Sequence, residues 1–493
     1  MKFKTPFILA LIMGVGCLLR MIVFVGVQGS DDTLYAELAN RIANGTFRIG
    51  ADSDISGLRT GLILPVALLF KLFGPNEWTL IAYPFLLSMG GIILAFIAGR
   101  MFFNERAGLL AAALMAIIPV DVRMAGILLT DIPSAFFSSV GVLAAYVGAQ
   151  QESPKRKFAW AGFAGAALGL SWLTRESAVY MFPVMGCFLV WAVVHDRRNL
   201  ALLLGVALTV VAIVAIESIV YWRETGDMLF RFHAISQAAQ KAWNFDPQMF
   251  HNLVAVSVPR RIFVTGPKTI LTNYQLGLVP LVALLAVGYF FWTRQKGFSL
   301  PAFWFLALAG FYNFGSTSIH RYSPLLLANR YLYILIFPAV ILVAGWLAVL
   351  FNDNVLEQRH LTRERRFWGV TLVALLLFKC MLPYREMLDS GRGSQVERAV
   401  SRLIPTSAPL YTDWRTPRVL EFFWRFKPAT DVHDFAGMRA EEIPPGSLVL
   451  INRTKVESLK GMYSYKPPRF YSEIPKTWIN RWHSDKGDLY LVP

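Results

Sequence analysis

The sequence has 493 residues, of which 55% are hydrophobic and 16% charged, with a formal net charge of +16. That balance excludes a disordered chain and an ordinary soluble domain, and fits a polytopic membrane protein. Lys and Arg are strung out between apolar runs and not gathered in one patch, so they read as topology signals and argue against a nucleic-acid partner.

A membrane span needs roughly 20 apolar residues, and by that measure about eleven candidates follow one another along the chain. They lie near 6–27, 78–99, 107–122, 132–150, 158–173, 177–194, 200–222, 275–293, 300–316, 326–350 and 367–383. Lys2 and Lys4 followed by an apolar run resemble a signal peptide, but the run from Pro6 to Val27 is long and has no clear small-residue cleavage site, so it is expected to remain as the first span. Cys17, Cys187 and Cys380 all fall inside apolar runs and form neither a disulfide framework nor a zinc spacing.

With a cytoplasmic N-terminus, alternate connections carry short basic clusters: Arg100 and Arg106, then Lys155 to Lys157, Arg197 and Arg198, Arg294 and Lys296, and Arg359 to Arg366. The positive-inside rule places these in the cytoplasm. The long loops 28–77 and 223–274 and the tail after 384 then face outward, where function is expected.

In the first outer loop, "QGSDDTLYAELANRIANGTF", Leu34, Leu38 and Ile42 repeat every four residues and Asn44-Gly45 supplies a stop. This predicts an amphipathic helix over 33–44 lying along the membrane surface. Asp31 and Asp32 precede it. One Asp is enough to cap a helix, so the pair leaves a carboxylate for other work. "DSD" at 52–54 is formally an Asp-x-Asp metal-nucleotide motif, though such triplets are common accidents in polar loops. Arg59 stands where the loop enters "GLILPVALLFKLFG", a run too short to span comfortably.

Further along, Asp131 in "LLTDIPSAFF" suits a helix cap by its Asp-x-Pro order, but an ionisable residue at membrane depth defaults to a functional role. Arg175 and Glu176 in "WLTRES" read as a local pair at a helix end. Glu217 reads as buried against a polar partner. The second outer loop holds two amphipathic, basic stretches, with Arg260, Arg261 and Lys268 in "VPRRIFVTGPKTI", and Arg330 opens "NRYLYILIFP". Singly each cation is an interface snorkeler; together, beside acids on the same face, they suit a lipid phosphate. His233 and His251 lack the spacing of a metal pair, and no Walker loop, dinucleotide fingerprint or nucleophile elbow is visible. After Pro383, "QVERAVSRL", "APLYTD", "SLVLIN" and "DLYLV" predict a small soluble α/β domain. The expected fold is an α-helical polytopic domain (1–383) with amphipathic juxtamembrane helices, followed by an extracytoplasmic α/β domain (384–493).

"DDTLYAELANRIANG" resembles the Asp-Glu-x-x-Tyr-Ala-Glu signature of membrane glycosyltransferases of the C superfamily, in the branch of protein mannosyltransferases and the lipid A aminoarabinose transferase. "LLFKLFGPNEW", "LTDIPSAFF", "LGLSWLTRESA" and "NRYLYILIFPAVILVAGW" resemble further family elements in the same order. Asp32 replaces the usual Glu, and "GLRTG" stands where relatives often have Lys-Pro. The resemblance implies a polyprenyl-phosphate sugar donor, a lipid, glycan or protein acceptor, and inverting transfer at the periplasmic face of a bacterial inner membrane. It implies Asp31 as base, Asp131 as an orienting acid and Asp32 as a support. Arg59 and Arg330, with Arg260, Arg261 and Lys268, would face the phosphate. A divalent metal occurs in some relatives, but no ligands for one are assigned here. An oligosaccharide ligase or polymerase with a diphospholipid donor, a lipid or solute transporter, and a scaffold are the other readings that the residues leave open.

Overall fold

The computed structural model describes residues 4–50, 55–245, 258–295, 297–316, 322, 324–325, 327–351, 359–404, 408–427, 430–460 and 465–493. The "DSD" triplet and His251 lie outside these residues. The first ten α-helices are α1 (Lys4–Ile22), α2 (Asp31–Ala43), α3 (Thr60–Phe73), α4 (Glu77–Phe102), α5 (Glu105–Ile117), α6 (Pro119–Met124), α7 (Asp131–Ala149), α8 (Pro154–Thr174), α9 (Met181–His195) and α10 (Leu200–Thr225). Each of the predicted apolar runs contains a helix, the later ones being Val279–Thr293, Ser299–Phe314, Ile336–Leu350 and Arg359–Ser390. Among the described residues, seven helical segments are long and apolar enough to cross a membrane. The protein is a multi-pass membrane protein.

Burial ranks the helices. The segment Tyr331–Leu350 is 89% buried and forms the hub, while α1, at 11%, stands at the rim with Phe7, Leu11 and Leu18 exposed. A helix apolar on all sides is stable only inside a large core or in lipid, and these two take one solvent each. The hairpin of α4 and α5 closes tightly because its contact is glycine on glycine. A Cβ on Gly99 would meet the Ala107 carbonyl oxygen at 2.7 Å, and one on Gly108 would meet that of Phe96 at 2.7 Å. Small residues at such crossings replace the hydrophobic drive that lipid removes.

Among the described residues, Arg20, Asp121 and Lys157 are charges buried in the bundle that find polar partners there. Arg20 on α1, 1% exposed, donates to Asp121 of α6, to Ser88 Oγ at 2.7 Å and to the carbonyls of Gly16 (2.8 Å) and Ala116 (3.1 Å). Asp121 also accepts from the hydroxyls of Ser88 (2.5 Å) and Tyr333. Lys157, read from the sequence as one of a short basic cluster in a cytoplasmic connection, is buried and donates to Asn199 Oδ1 and to the Ala149 carbonyl at 3.2 Å. Its stem is long enough to reach the end of α7, so the amine never meets water.

Helix α2 differs from expectation in two ways. It begins at Asp31, so both aspartates lie in its first turn. It also buries Tyr35, Ala36, Leu38 and Ala39 within the protein, because these residues make a stripe that α3 and the helix Thr416–Phe423 cover from two sides.

The C-terminal part carries a five-stranded mixed sheet of β1 (Leu410–Thr412), β2 (Val432–Asp434), β3 (Leu448–Asn452), β4 (Ile479–Ser484) and β5 (Gly487–Leu491), in the order β2-β1-β3-β5-β4. β1 is parallel to β2 and β3, and β5 is antiparallel to β3 and β4. The predicted strands are β1, β3 and β5; β2 and β4 are the edges. The helix Arg359–Ser390 leads into this part and passes through Pro383. Val419 and Phe422 then join a core with Phe24, Val27, Tyr35 and Leu80, and Arg398 pairs with Glu77 at 2.5 Å.

Candidate active site

The two neighbouring aspartates meet different surroundings. Asp32 is fully buried and accepts the backbone N–H of Gln28 at 2.6 Å and of Ser30 at 2.7 Å, with the Ser30 hydroxyl at 3.2 Å. These donors precede it, so Asp32 does not cap α2; it fixes the turn that delivers the chain to the helix. Burial pushes its carboxyl above the ordinary carboxylate value, against the backbone bonds that favour the charged form. The side chain of Asp31, one position earlier, is 43% exposed and accepts from Arg330 at 2.8 Å.

Arg330 precedes the hub helix. Its guanidinium also donates to the Tyr331 hydroxyl at 3.1 Å and lies 5.0 Å from that ring's centroid, and it feels the charges of both Asp31 and Asp131. Asp131, at the first position of α7, is 4% exposed and pairs with Arg175, the residue that ends α8. Arg175 lies 4.7 Å from the Tyr331 ring centroid. Two guanidinium groups thus lie close to the Tyr331 ring, a placement favoured by the partial negative charge of its π-face. Asp131, Arg175, Arg330, Tyr331, Ser177 and Tyr312 line one small pocket.

Arg175 and Glu176 are not the local pair expected from the sequence. The backbone turns extended at Arg175, and the two side chains leave in different directions. Glu176 takes Arg59 in a two-pronged bond, 2.9 Å at Nη2 and 3.3 Å at Nε, and Arg59 Nη1 donates to the Tyr35 hydroxyl. Three arginines and three carboxylates thus alternate through the site: Arg59, Glu176, Arg175, Asp131, Arg330 and Asp31. The Arg59 loop is braced from below by Arg231, which donates to the Leu58 carbonyl at 2.7 Å and to Glu217 at 3.0 Å. Glu217 also accepts from Trp172 (2.9 Å) and Tyr221 (2.7 Å), which makes it the buried, partnered residue expected.

Arg261 stands apart from this string. It is 5% exposed, in a one-turn π-helix, and Nη2 donates to the carbonyls of Tyr312 (3.3 Å) and Leu325 (3.2 Å). Among the described residues its Nη1 has no hydrogen-bond partner and no carboxylate pairs with it. Burial strips its water and lowers its hold on the proton. A buried guanidinium left in this state calls for an anion. Tyr312 connects it to the pocket of Asp131 and Arg330. Arg260 and Lys268 are exposed and join neither cluster. Among the described residues no group of three or more His, Cys, Asp or Glu side chains is placed to hold a metal ion.

The sequence had singled out Asp31, Asp131 and Arg330; Asp131 and Arg330 line one pocket, and Asp31 pairs with Arg330. It gave no special weight to Tyr331, Tyr35, Arg20 or Asp121. An Arg within the first apolar run and an Asp after Pro119 were available signals for the last two.

Residues 64–222 match the family described as dolichyl-phosphate-mannose-protein mannosyltransferase. No curated protein matches the sequence. Among solved structures, the Archaeoglobus fulgidus oligosaccharyltransferase in the apo form superposes with a TM-score of 0.56 at 15% identity over 87% of this chain, which spans 65% of that one. Its complex with Zn and sulfate gives 0.58 at 16% identity, covering 99% and 74% of the two chains. ArnT from Cupriavidus metallidurans bound to undecaprenyl phosphate gives 0.53 at 14% identity, covering 99% and 98%. At these identities the likeness to the solved structures is one of fold, and the mannosyltransferase match covers residues 64–222, less than half of the chain.

Proposed function

We propose that the protein moves a sugar from a polyprenyl-phosphate carrier to an acceptor hydroxyl, with inversion at the anomeric carbon, at the periplasmic face of a bacterial inner membrane. Asp31 takes the hydroxyl proton as the acceptor oxygen bonds to the anomeric carbon. The bond from that carbon to the phosphate oxygen breaks, and the carrier phosphate departs with the electron pair. Direct displacement needs one base and no covalent carboxylate, unlike a retaining two-carboxylate scheme.

The observation that carries this reading is the division between the two aspartates. Asp32 is committed to backbone N–H groups, whereas Asp31 keeps a half-exposed carboxylate on the rigid first turn of α2. Asp131, clamped by Arg175, orients the acceptor, and Arg330 stands between the acids as a counter-charge. Arg261 and Arg330 neutralise the departing phosphate, for which buried guanidinium groups are worth far more than exposed ones. Arg59, held on Glu176, shapes the donor side; Arg260 and Lys268 meet lipid headgroups. The solved ArnT complex with undecaprenyl phosphate, nearly equal in length to this chain, supports a monophosphate carrier.

A second reading, transfer of a whole oligosaccharide from a diphospholipid, draws on the fold likeness to the archaeal oligosaccharyltransferase, which has been solved with dolichol-phosphate and an inhibitory peptide. The test is transfer of radiolabelled sugar from a panel of polyprenyl-monophosphate sugars to membrane extracts, with Asp31→Asn and a chelator in parallel. Label moving with the wild type and not with the variant supports the proposal. A donor requirement met only by oligosaccharide diphospholipids replaces it with the second reading.

A further inference from the structure

Where the segment before α2 meets the C-terminal domain, a cleft of about 500 Å³ opens that the donor chemistry does not use. Residues 28–30, directly ahead of Asp31, form one wall, and the C-terminal domain forms the other. Its volume lies within the range of small-molecule sites, roughly 300–1,000 Å³.

The cleft is positively charged. Arg392, Arg415, Lys455 and Lys486 line it against one carboxylate, Glu397. Glu397 and Lys455 pair with each other in near-complete burial and so brace the floor without contributing net charge. Arg392 is held with its guanidinium 5.1 Å from the Phe24 ring centroid, and Lys486 is steadied by Gln395 at 3.0 Å. Ser394, also on the wall, has a buried hydroxyl with no partner among the described residues, and its backbone sits at φ +50°, in the left-handed region that a serine seldom adopts. A strained residue holding an unsatisfied polar group is a feature that ligand sites tolerate and cores do not.

We propose that this cleft binds the acceptor through a phosphorylated sugar group and presents the acceptor hydroxyl to Asp31. A phosphate monoester fits better than a carboxylate because its double charge and three acceptor oxygens answer several cations and a hydroxyl at once. The word acceptor rests on the transferase reading above; the phosphate site does not.

The test uses the full-length chain in nanodiscs of phosphatidylcholine, with glucose 6-phosphate and glucose as probes and thermophoresis as the readout. Glucose 6-phosphate is expected to bind and glucose not. The double variant Arg392→Gln/Lys486→Gln is expected to weaken glucose 6-phosphate at least tenfold while binding polyprenyl phosphate like the wild type, which also shows that it is folded. Equal affinity in the variant, or equal binding of glucose, overturns the site. Competition by phosphatidylglycerol placed in the discs overturns the acceptor assignment and makes the cleft a headgroup anchor. Sugar phosphate that binds to a wild type inactive with every donor leaves the cleft standing and removes the transferase reading.

Discussion

Asp31 and Asp32 share a chemical group and differ in what surrounds it. A general base contributes about 10²–10⁴-fold to a rate, and an exposed ion pair about 0–1 kcal/mol to stability. Asp31→Asn is therefore expected to lower transfer by at least the smaller factor with almost no change in melting temperature; a fall in both would mean that Asp31 acts through the fold. Asp32 is expected to behave in the opposite way. A carboxyl whose folded pKa is raised costs stability as it ionises, since the unfolded chain gives up its proton first. The wild type should thus lose stability relative to Asp32→Asn as pH climbs from the ordinary value of 3.8 through the raised one, and hold a constant deficit above it. Melting curves of both proteins across that range check the sign, and parallel curves would show that Asp32 ionises as it does in water.

Between elements, the strongest test is the buried pair of Arg20 on α1 and Asp121 on α6. Removing one partner of such a pair strands the other charge, at a cost of about 3–5 kcal/mol, whereas an apolar replacement of both is close to neutral. Arg20→Met and Asp121→Leu are each expected to destabilise by that amount in reversible denaturation, and the double variant by much less than the two together. The helices themselves were legible because their signal is local: apolar runs, basic flanks, and the four-residue repeat of Leu34, Leu38 and Ile42. Their partners were not, because Arg330 and Asp31 are 299 positions apart, and Arg59 and Glu176 are 117 apart. Adjacent Arg175 and Glu176 looked like a pair only because sequence shows neighbours along the chain and not the direction in which side chains leave it. The strands β2 and β4 escaped for a related reason: edge strands such as "INRWHS" have a largely exposed face on each side and no alternation to reveal them.

At the scale of the molecule, the C-terminal domain is part of the construction of the site. Phe422, 2% exposed, packs in the core that also holds Tyr35 of α2, and Tyr35 bonds Arg59. Phe422→Ala leaves a cavity there and is expected to cost about 3–5 kcal/mol, with transfer falling alongside and the C-terminal domain becoming easier for protease to cut. Full activity in a variant so destabilised would show that the domain only rides on the bundle. The C-terminal sheet was legible from the short apolar runs after Pro383, but the grip of this part on α2 was not, because the stripe of Tyr35, Ala36 and Ala39 lies beside the leucine repeat and reads from sequence as filler.

The alternating string of Arg59, Glu176, Arg175, Asp131, Arg330 and Asp31 has an evolutionary consequence. It is a ledger of parity: with equal numbers of both signs, loss of one member leaves an odd charge, and at the buried Arg175–Asp131 pair water is least able to screen it. Drift at these positions is therefore expected to proceed in steps of two, an arginine and its neighbouring acid changing together or exchanging sides. In homologous chains the six columns would covary as adjacent couples, while Asp32, whose partners are backbone groups, would vary alone or not at all.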